Sequence, residues 1–207
     1  MLCCSMLIVG LTGGLASGKS TIAQLFQQHG ANVLDADCLT REVVKPRRAA
    51  WKDIVQAFGQ GILTDHQTVN RAALAKIVFK NPSKLKQLTD ILHPRVASEQ
   101  ARLARIITQK HPDAVIIYDA AMLIESGAYK RMDQVILIKA KRETQLQRAS
   151  KRNGMTKAEA IRRIRQQMPL REKLPYADHV IDGELPLQQL HPVVGELYNT
   201  FRIQARQ

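Results

Sequence analysis

One stretch constrains this chain more than any other: residues 8–21 read Ile-Val-Gly-Leu-Thr-Gly-Gly-Leu-Ala-Ser-Gly-Lys-Ser-Thr. Gly13, four residues, then Gly18, Lys19 and Ser20 make the G-x-x-x-x-G-K-[ST] spacing of a phosphate-binding loop. Glycines let the backbone curl until several N–H groups face one anion. A helix opening at the end of the loop adds its positive N-terminal pole. Lys19 is placed to neutralise the β- and γ-phosphates, and the Ser20 hydroxyl to hold Mg²⁺. Context separates this reading from a glycine-rich turn with a surface lysine. The apolar run 6–10 reads as a buried strand, and 21–28 reads as a helix with Ile22, Leu25 and Phe26 on one face and Gly30 as its stop. The chain is expected to bind a nucleoside triphosphate.

At 207 residues the chain can bury a sizeable core as one domain, with room for an inserted subdomain. Aromatic residues make up only 4% of it, which argues against a stacking platform for nucleic acid. No apolar run approaches the roughly 20 residues needed to span a bilayer. The apolar N-terminus lacks the basic flank of a signal peptide and runs directly into the phosphate loop, so it reads as extra residues before the first strand, with Met6 as an alternative start. Cys3, Cys4 and Cys38 make an odd count with no C-x-x-C, which predicts reduced thiols and a cytoplasmic location. The net charge of +13 is concentrated: residues 139–173 hold twelve Lys/Arg against three Glu. Beside a triphosphate site, that concentration reads as a grip on polyanionic nucleotides, with a merely solvated basic face as the main alternative.

Residues 31–34 read as a second strand, ending in Asp35-Ala-Asp37. If the strand continues, the two carboxylates share one side at the edge where open parallel sheets bind ligands. At least one of Asp35 and Asp37 is expected to accept the proton of an attacking hydroxyl, and either to reach a Mg²⁺ shell through water. An aspartate cap on the following helix is compatible with that role. Residues 41–112 look helical and carry no strand signal. Pro46 breaks the first segment, Gly59 and Gly61 mark a turn, Asn70 opens a helix, Asn81 and Pro82 cap the next, and Pro94 kinks or restarts it. The block is too long for a simple crossover and suits a second substrate.

The run 114–118 is fully apolar, as a central parallel strand should be, and closes at Asp119 in the manner of a Walker B element, a magnesium-shell candidate. A fourth strand spans 134–139. A helix over 143–152 carries Arg148 and Arg152 on one face, Thr156 to Glu159 is a capping box, and 179–182 is a fifth strand. From Pro186 a C-terminal helix turns Leu187, Leu190, Val194, Leu197 and Phe201 towards the sheet. The predicted fold is therefore α/β: a doubly wound five-stranded parallel sheet of P-loop kinase type. Its core is expected over 1–40 and 113–207, with a helical substrate-binding insert at 41–112 and a short lid at about 141–173.

The guanine-specifying N-K-x-D is absent, and the chain is short for a motor or transport ATPase. Phosphate loop, helical insert and basic lid are the parts of a small-molecule kinase. Within that class the sequence resembles the dephospho-CoA kinase family. The resemblance is carried by the phosphate loop from Gly10, Val33-Leu-Asp-Ala-Asp37, Leu92-His-Pro94, Leu123 to Glu125, Gln145-Leu-Gln-Arg148 with Arg152, and Ala177-Asp-His-Val-Ile-Asp182, in family order over nearly the whole chain.

The resemblance implies transfer of the ATP γ-phosphate to the ribose 3′-hydroxyl of dephospho-CoA, giving CoA and ADP in the last step of coenzyme A biosynthesis, with Mg²⁺ as cofactor. By matching position, Asp37 is the base, with Lys19 and Arg148 as its catalytic companions. Gly13, Gly14, Leu15, Ala16, Ser17, Gly18, Lys19, Ser20, Thr21, Arg148 and Arg152 would hold ATP. Asp35, Arg71, His93 and Glu125 would lie on the acceptor side, and Ser20 and Asp119 would face the metal. The expected partners are ATP and dephospho-CoA, with no nucleic acid and no membrane, and a monomer or weak homo-oligomer. Another nucleoside or nucleotide kinase and, further off, a nucleic-acid-associated P-loop ATPase are the competing readings.

Three departures from the family pattern carry expectations of their own. Ala16 stands where the family usually has glycine, which requires negative φ there and a slightly altered loop. Asp119-Ala-Ala121 replaces Asp-x-Pro and leaves that turn less fixed. Gly183-Glu184 replaces an Asn-rich turn, which unsettles the contacts to adenine.

Overall fold

The computed structural model describes residues 6–207; the side chains of Arg152 and Asn153 lie outside the described set, as do Cys3 and Cys4. The chain divides into two units, one formed by Met1–Asp35 with Ile107–Gln207 and the other by Ala36–Ile106.

The first unit is built on five parallel strands in the order β2-β3-β1-β4-β5: β1 Leu7–Gly13, β2 Asn32–Asp35, β3 Val115–Asp119, β4 Gln134–Lys139 and β5 His179–Asp182. β3, buried along its whole length, is the Val-Ile-Ile-Tyr run that a strand covered on both faces requires. Between β1 and β2 runs α1, Lys19–Gln28, two residues longer at its start than the sequence predicts. It lays Ile22, Leu25 and Phe26 on the sheet. Its end is a Schellman motif: the Gly30 N–H donates to Gln27 O and the Ala31 N–H to Phe26 O. Gly30 has φ of 106°. The C-terminal helix, α9 Leu187–Gln204, packs Leu190, Val194, Tyr198 and Phe201 into the same core. Leu187, expected on that face, is instead 55% exposed, because it lies in the first turn, before the helix meets the sheet.

The second unit is helical: α2 Ala36–Val43, α3 Ala49–Phe58, α4 Arg71–Val78 and α5 Pro82–Lys110, with a single antiparallel bridge between Leu63 and Val69. Asn70 caps α4 by accepting the Ala73 N–H, and Asn81 accepts from the Ser83 and Lys84 N–H groups at the start of α5. Ile54, Ile62, Leu74 and Val78 form its core. The helix does not restart at Pro94, which lies inside the continuous α5. Arg95 donates to the Ile91 carbonyl and pairs with Asp53 there.

Beyond β4, α6 Arg142–Asn153 and α7 Lys157–Arg165 carry the basic segment, and the Thr156–Glu159 capping box opens α7. A one-turn helix, α8 Leu170–Lys173, follows before β5.

Candidate active site

The loop joining β1 to α1 has the backbone of an anion nest. Ala16 and Gly18 both adopt positive φ, 53° and 103°, among neighbours that do not. This corrects the expectation for Ala16. The methyl group is carried in the left-handed conformation, at a cost of about 1–2 kcal/mol, and the loop keeps its curl. Ala16 and Leu15 pack, as Leu146 does, against a buried cluster of Ala149, Met155 and Ala160, which offsets part of that cost. At Gly13 a Cβ would lie 2.6 Å from the Ser17 hydroxyl, so the glycine there answers to close approach. Ser17 is buried, and its hydroxyl is a buried polar atom without a hydrogen-bond partner. Ser20 and Thr21 are exposed in the first turn of α1.

Parallel pairing sets Leu11 of β1 beside Asp119 of β3, and Asp35 of β2 beside Asp119 on its other side. The chain continues from β1 into the loop at that edge, and Lys19 returns to form an ion pair with Asp119, which is 8% exposed. The two residues singled out as phosphate and metal partners are thus brought together. The turn after Asp119 lacks proline but is held otherwise. The Ala120 N–H donates to Leu11 O, and the Ala121 carbonyl accepts both Thr12 Oγ1 (3.2 Å) and Lys173 Nζ (3.2 Å).

Arg148 lies against the same loop: its Nη1 donates to the Gly183 carbonyl at 2.8 Å and sits 3.6 Å from where a Cβ on Gly18 would be. Gly183, part of the departure from the Asn-rich turn, is required here, because a Cβ would fall 1.9 Å from Ser17 O. The turn that carries it is tied down electrostatically. The Glu184 N–H donates to Asp182 Oδ1 and, with Lys139 at 3.4 Å, holds the Asp182 carboxyl below the usual carboxylate range. Glu184 is lowered in turn by a hydrogen bond from Thr144 and by the Lys141 N–H.

Glu125 is largely buried. Its Oε1 accepts from Lys173 Nζ at 2.9 Å and from the Met168 N–H at 2.9 Å, while Oε2 is buried without a partner. Lys173 is 1% exposed. Beside it, Gln167 Oε1 accepts the Leu15 N–H at 2.8 Å. Neither Lys173 nor Gln167 was foreseen. In sequence Lys173 is one of twelve cations in a basic run, and nothing local marks the one that is buried.

In the second unit, Asp37 does not extend β2. The strand ends at Asp35 and α2 begins at Ala36, so Asp37 stands exposed in the first turn of a helix, where a carboxylate suits the helix pole. The two aspartates therefore do not share a strand face. Arg71, the first residue of α4, borders an apolar cavity of about 250 Å³ lined by Val44, Ile54, Leu74, Leu88 and Leu92. His93 is exposed on α5.

A family model for dephospho-CoA kinase matches residues 7–189. A dephospho-CoA kinase of Geobacter metallireducens is 46% identical over 179 residues, covering 86% of this chain and 88% of that protein. Among solved structures, TT1252 of Thermus thermophilus aligns with a TM-score of 0.81 at 28% identity, covering 95% of this chain and 98% of that one. A dephospho-CoA kinase of Campylobacter jejuni aligns with a TM-score of 0.71 at 22% identity, over 96% and 98%, which speaks to the fold alone. With a phosphate loop on β1, its lysine paired to the last residue of β3 and a family match over most of its length, the chain belongs to the dephospho-CoA kinase family of ATP-dependent kinases.

Proposed function

We propose that the chain transfers the γ-phosphoryl group of ATP to the ribose 3′-hydroxyl of dephospho-CoA, giving CoA and ADP. Family membership supports the substrate pair, and the observation that carries the chemistry is the Lys19–Asp119 pair at the mouth of an anion nest. Phosphoryl transfer passes through a loose transition state, so the protein has mainly to align the reacting oxygen with phosphorus and to compensate charge. The N–H groups of the 13–21 loop that are not bonded within the protein, as Leu15 and Ser17 are, would cradle the phosphates. Lys19 would exchange its carboxylate partner for phosphate oxygens, so its charge is balanced both before and after ATP binds. Arg148, and Arg152 one turn on, would close on the same phosphates. Asp37 would take the proton of the 3′-hydroxyl, while Asp35, Arg71, His93 and Glu125 serve the acceptor side.

The donor set fits Mg²⁺. Among the described residues no group of three or more His, Cys, Asp or Glu could cage a metal. Mg²⁺ asks for only one or two protein oxygens beside water and phosphate, and Ser20 and Asp119 supply hard oxygens of that kind. When bound, the ion would neutralise charge on the β- and γ-phosphates.

A coupled ADP-release assay over a panel of acceptors tests the reading. Turnover is expected with dephospho-CoA and not with nucleoside monophosphates. The reverse preference, or ATP hydrolysis that needs RNA or DNA, would assign the chain elsewhere.

A further inference from the structure

The phosphate loop is buttressed from outside by a segment that the proposed chemistry does not use. Residues 164–173 run from the end of α7 to α8, and their side chains, with Gly14, Ile138 and Gln145, enclose a cavity of only about 70 Å³ against the loop. Two anchorages fix this segment. At one end Gln167 Oε1 accepts the Leu15 N–H at 2.8 Å, inside the Gly14–Ser17 turn that the Ser17 N–H closes onto Gly14 O. At the other, Lys173 is driven under the loop that follows β3. Its ammonium is shared between Glu125 Oε1 at 2.9 Å and Ala121 O at 3.2 Å, and Glu125 Oε1 also accepts the N–H of Met168, the neighbour of Gln167. Ala121 O also accepts Thr12 Oγ1, next to the last residue of β1.

The contacts therefore form a closed circuit: β1, the loop after β3, the 167–173 segment and back to the phosphate loop. Lys19 leaves one side of this circuit and Asp119 the other. A buried lysine committed to a single carboxylate makes the anchor stiff, because a charge left unpaired there is costly.

We propose that Gln167 is a positioning residue for ATP: through the Leu15 N–H it ties the turn of the phosphate loop to a brace whose other end is Lys173. The inference rests on the reading of residues 13–21 as the ATP site. Leu15 N–H, bound to Gln167, and Ser17 N–H, bound to Gly14 O, are the donors of that turn withheld from the nucleotide, and the Gln167 bond is the one that fixes the turn from outside the loop. Gln167 touches neither reacting atom, so its loss should be felt in binding of ATP rather than in the transfer step.

The test compares Gln167→Met, of similar length but without an acceptor, with Gln167→Glu, which keeps one, in the full-length enzyme at about 0.3 M salt to screen the added charge. ATP affinity is read by calorimetric titration, and KM for ATP, KM for dephospho-CoA and kcat by turnover. Gln167→Met should weaken ATP about fivefold, the scale of one lost hydrogen bond, with kcat and the acceptor KM within twofold. Gln167→Glu should return ATP affinity to within twofold of the parent. Lys173→Met is expected to weaken ATP as well, and where it folds, adding Gln167→Met to it should cost less than in the parent, since the brace has lost its anchor. Unchanged ATP affinity in Gln167→Met would overturn the proposal, as would equal losses in the Met and Glu variants, or a loss confined to kcat. A parent chain that binds no ATP would overturn the reading of the loop and this proposal with it, whereas a parent that binds ATP and a Gln167→Met that binds it equally well would overturn the proposal alone.

Discussion

Asp37 and Lys19 occupy opposite electrostatic situations, and their proposed roles follow from that. Lys19 is 18% exposed and already paired with a carboxylate, so its charge is stored in place for a polyphosphate. Asp37 is exposed in the first turn of a helix, open to an incoming hydroxyl. Asp37→Asn should lower kcat by about a hundredfold or more while ATP affinity stays within a few-fold of the parent, as single-turnover kinetics and nucleotide titration would measure. Near-normal turnover by the folded variant would remove Asp37 from the role of base. At this scale the phosphate loop was legible because its signal is local: four fixed positions and a spacing. Ala16 was read less well, since negative φ was expected and 53° is found. A single sequence does not show that the buried cluster of Ala149, Met155 and Ala160, over a hundred residues away, takes Ala16 against it.

Among the elements, strands and caps were the most legible, because apolar runs, Asn caps and the Thr156–Glu159 box declare themselves within a few residues. What failed did so at boundaries. β2 hands over to α2 at Asp35, where the alternation of a strand and the first turn of a helix look alike. α5 continues through Pro94 because packing on both sides holds it, including the Arg95–Asp53 pair. Two elements carry predictions. Gly30→Ala should destabilise the first unit by about 1–2 kcal/mol or more in chemical denaturation, since φ of 106° penalises a side chain and the new Cβ would stand 2.8 Å from the Tyr198 hydroxyl. The turn after β5 carries a pH signature. Asp182 is held below its unfolded value of about 3.8, so its contribution is present above that pH and lost as pH falls through the lower folded value. Asp182→Asn should therefore be less stable than the parent at pH 7, with the gap closing below about pH 4. A gap that does not change between pH 7 and pH 3 would contradict that account.

For the molecule as a whole, the fold class was legible because five apolar runs, each closing on a loop with chemistry, have few other solutions. The order β2-β3-β1-β4-β5 then brings the phosphate loop and Asp119 to one edge, with Lys19 and Asp119 100 positions apart in sequence. The high positive charge was readable, but its internal use was not. Of the twelve cations in 139–173, Lys173 is spent on a buried anchor and Arg148 on a backbone carbonyl. The central claim is that this arrangement transfers phosphoryl to one particular hydroxyl, and the product tests it most directly. After incubation with ATP, Mg²⁺ and dephospho-CoA, the phosphorylated product can be analysed by ³¹P nuclear magnetic resonance and mass spectrometry. The account predicts one added phosphate per molecule, a monoester on the ribose 3′-oxygen, formed in step with ADP. ADP released without a phosphorylated acceptor, or phosphate attached at any other position, would contradict it.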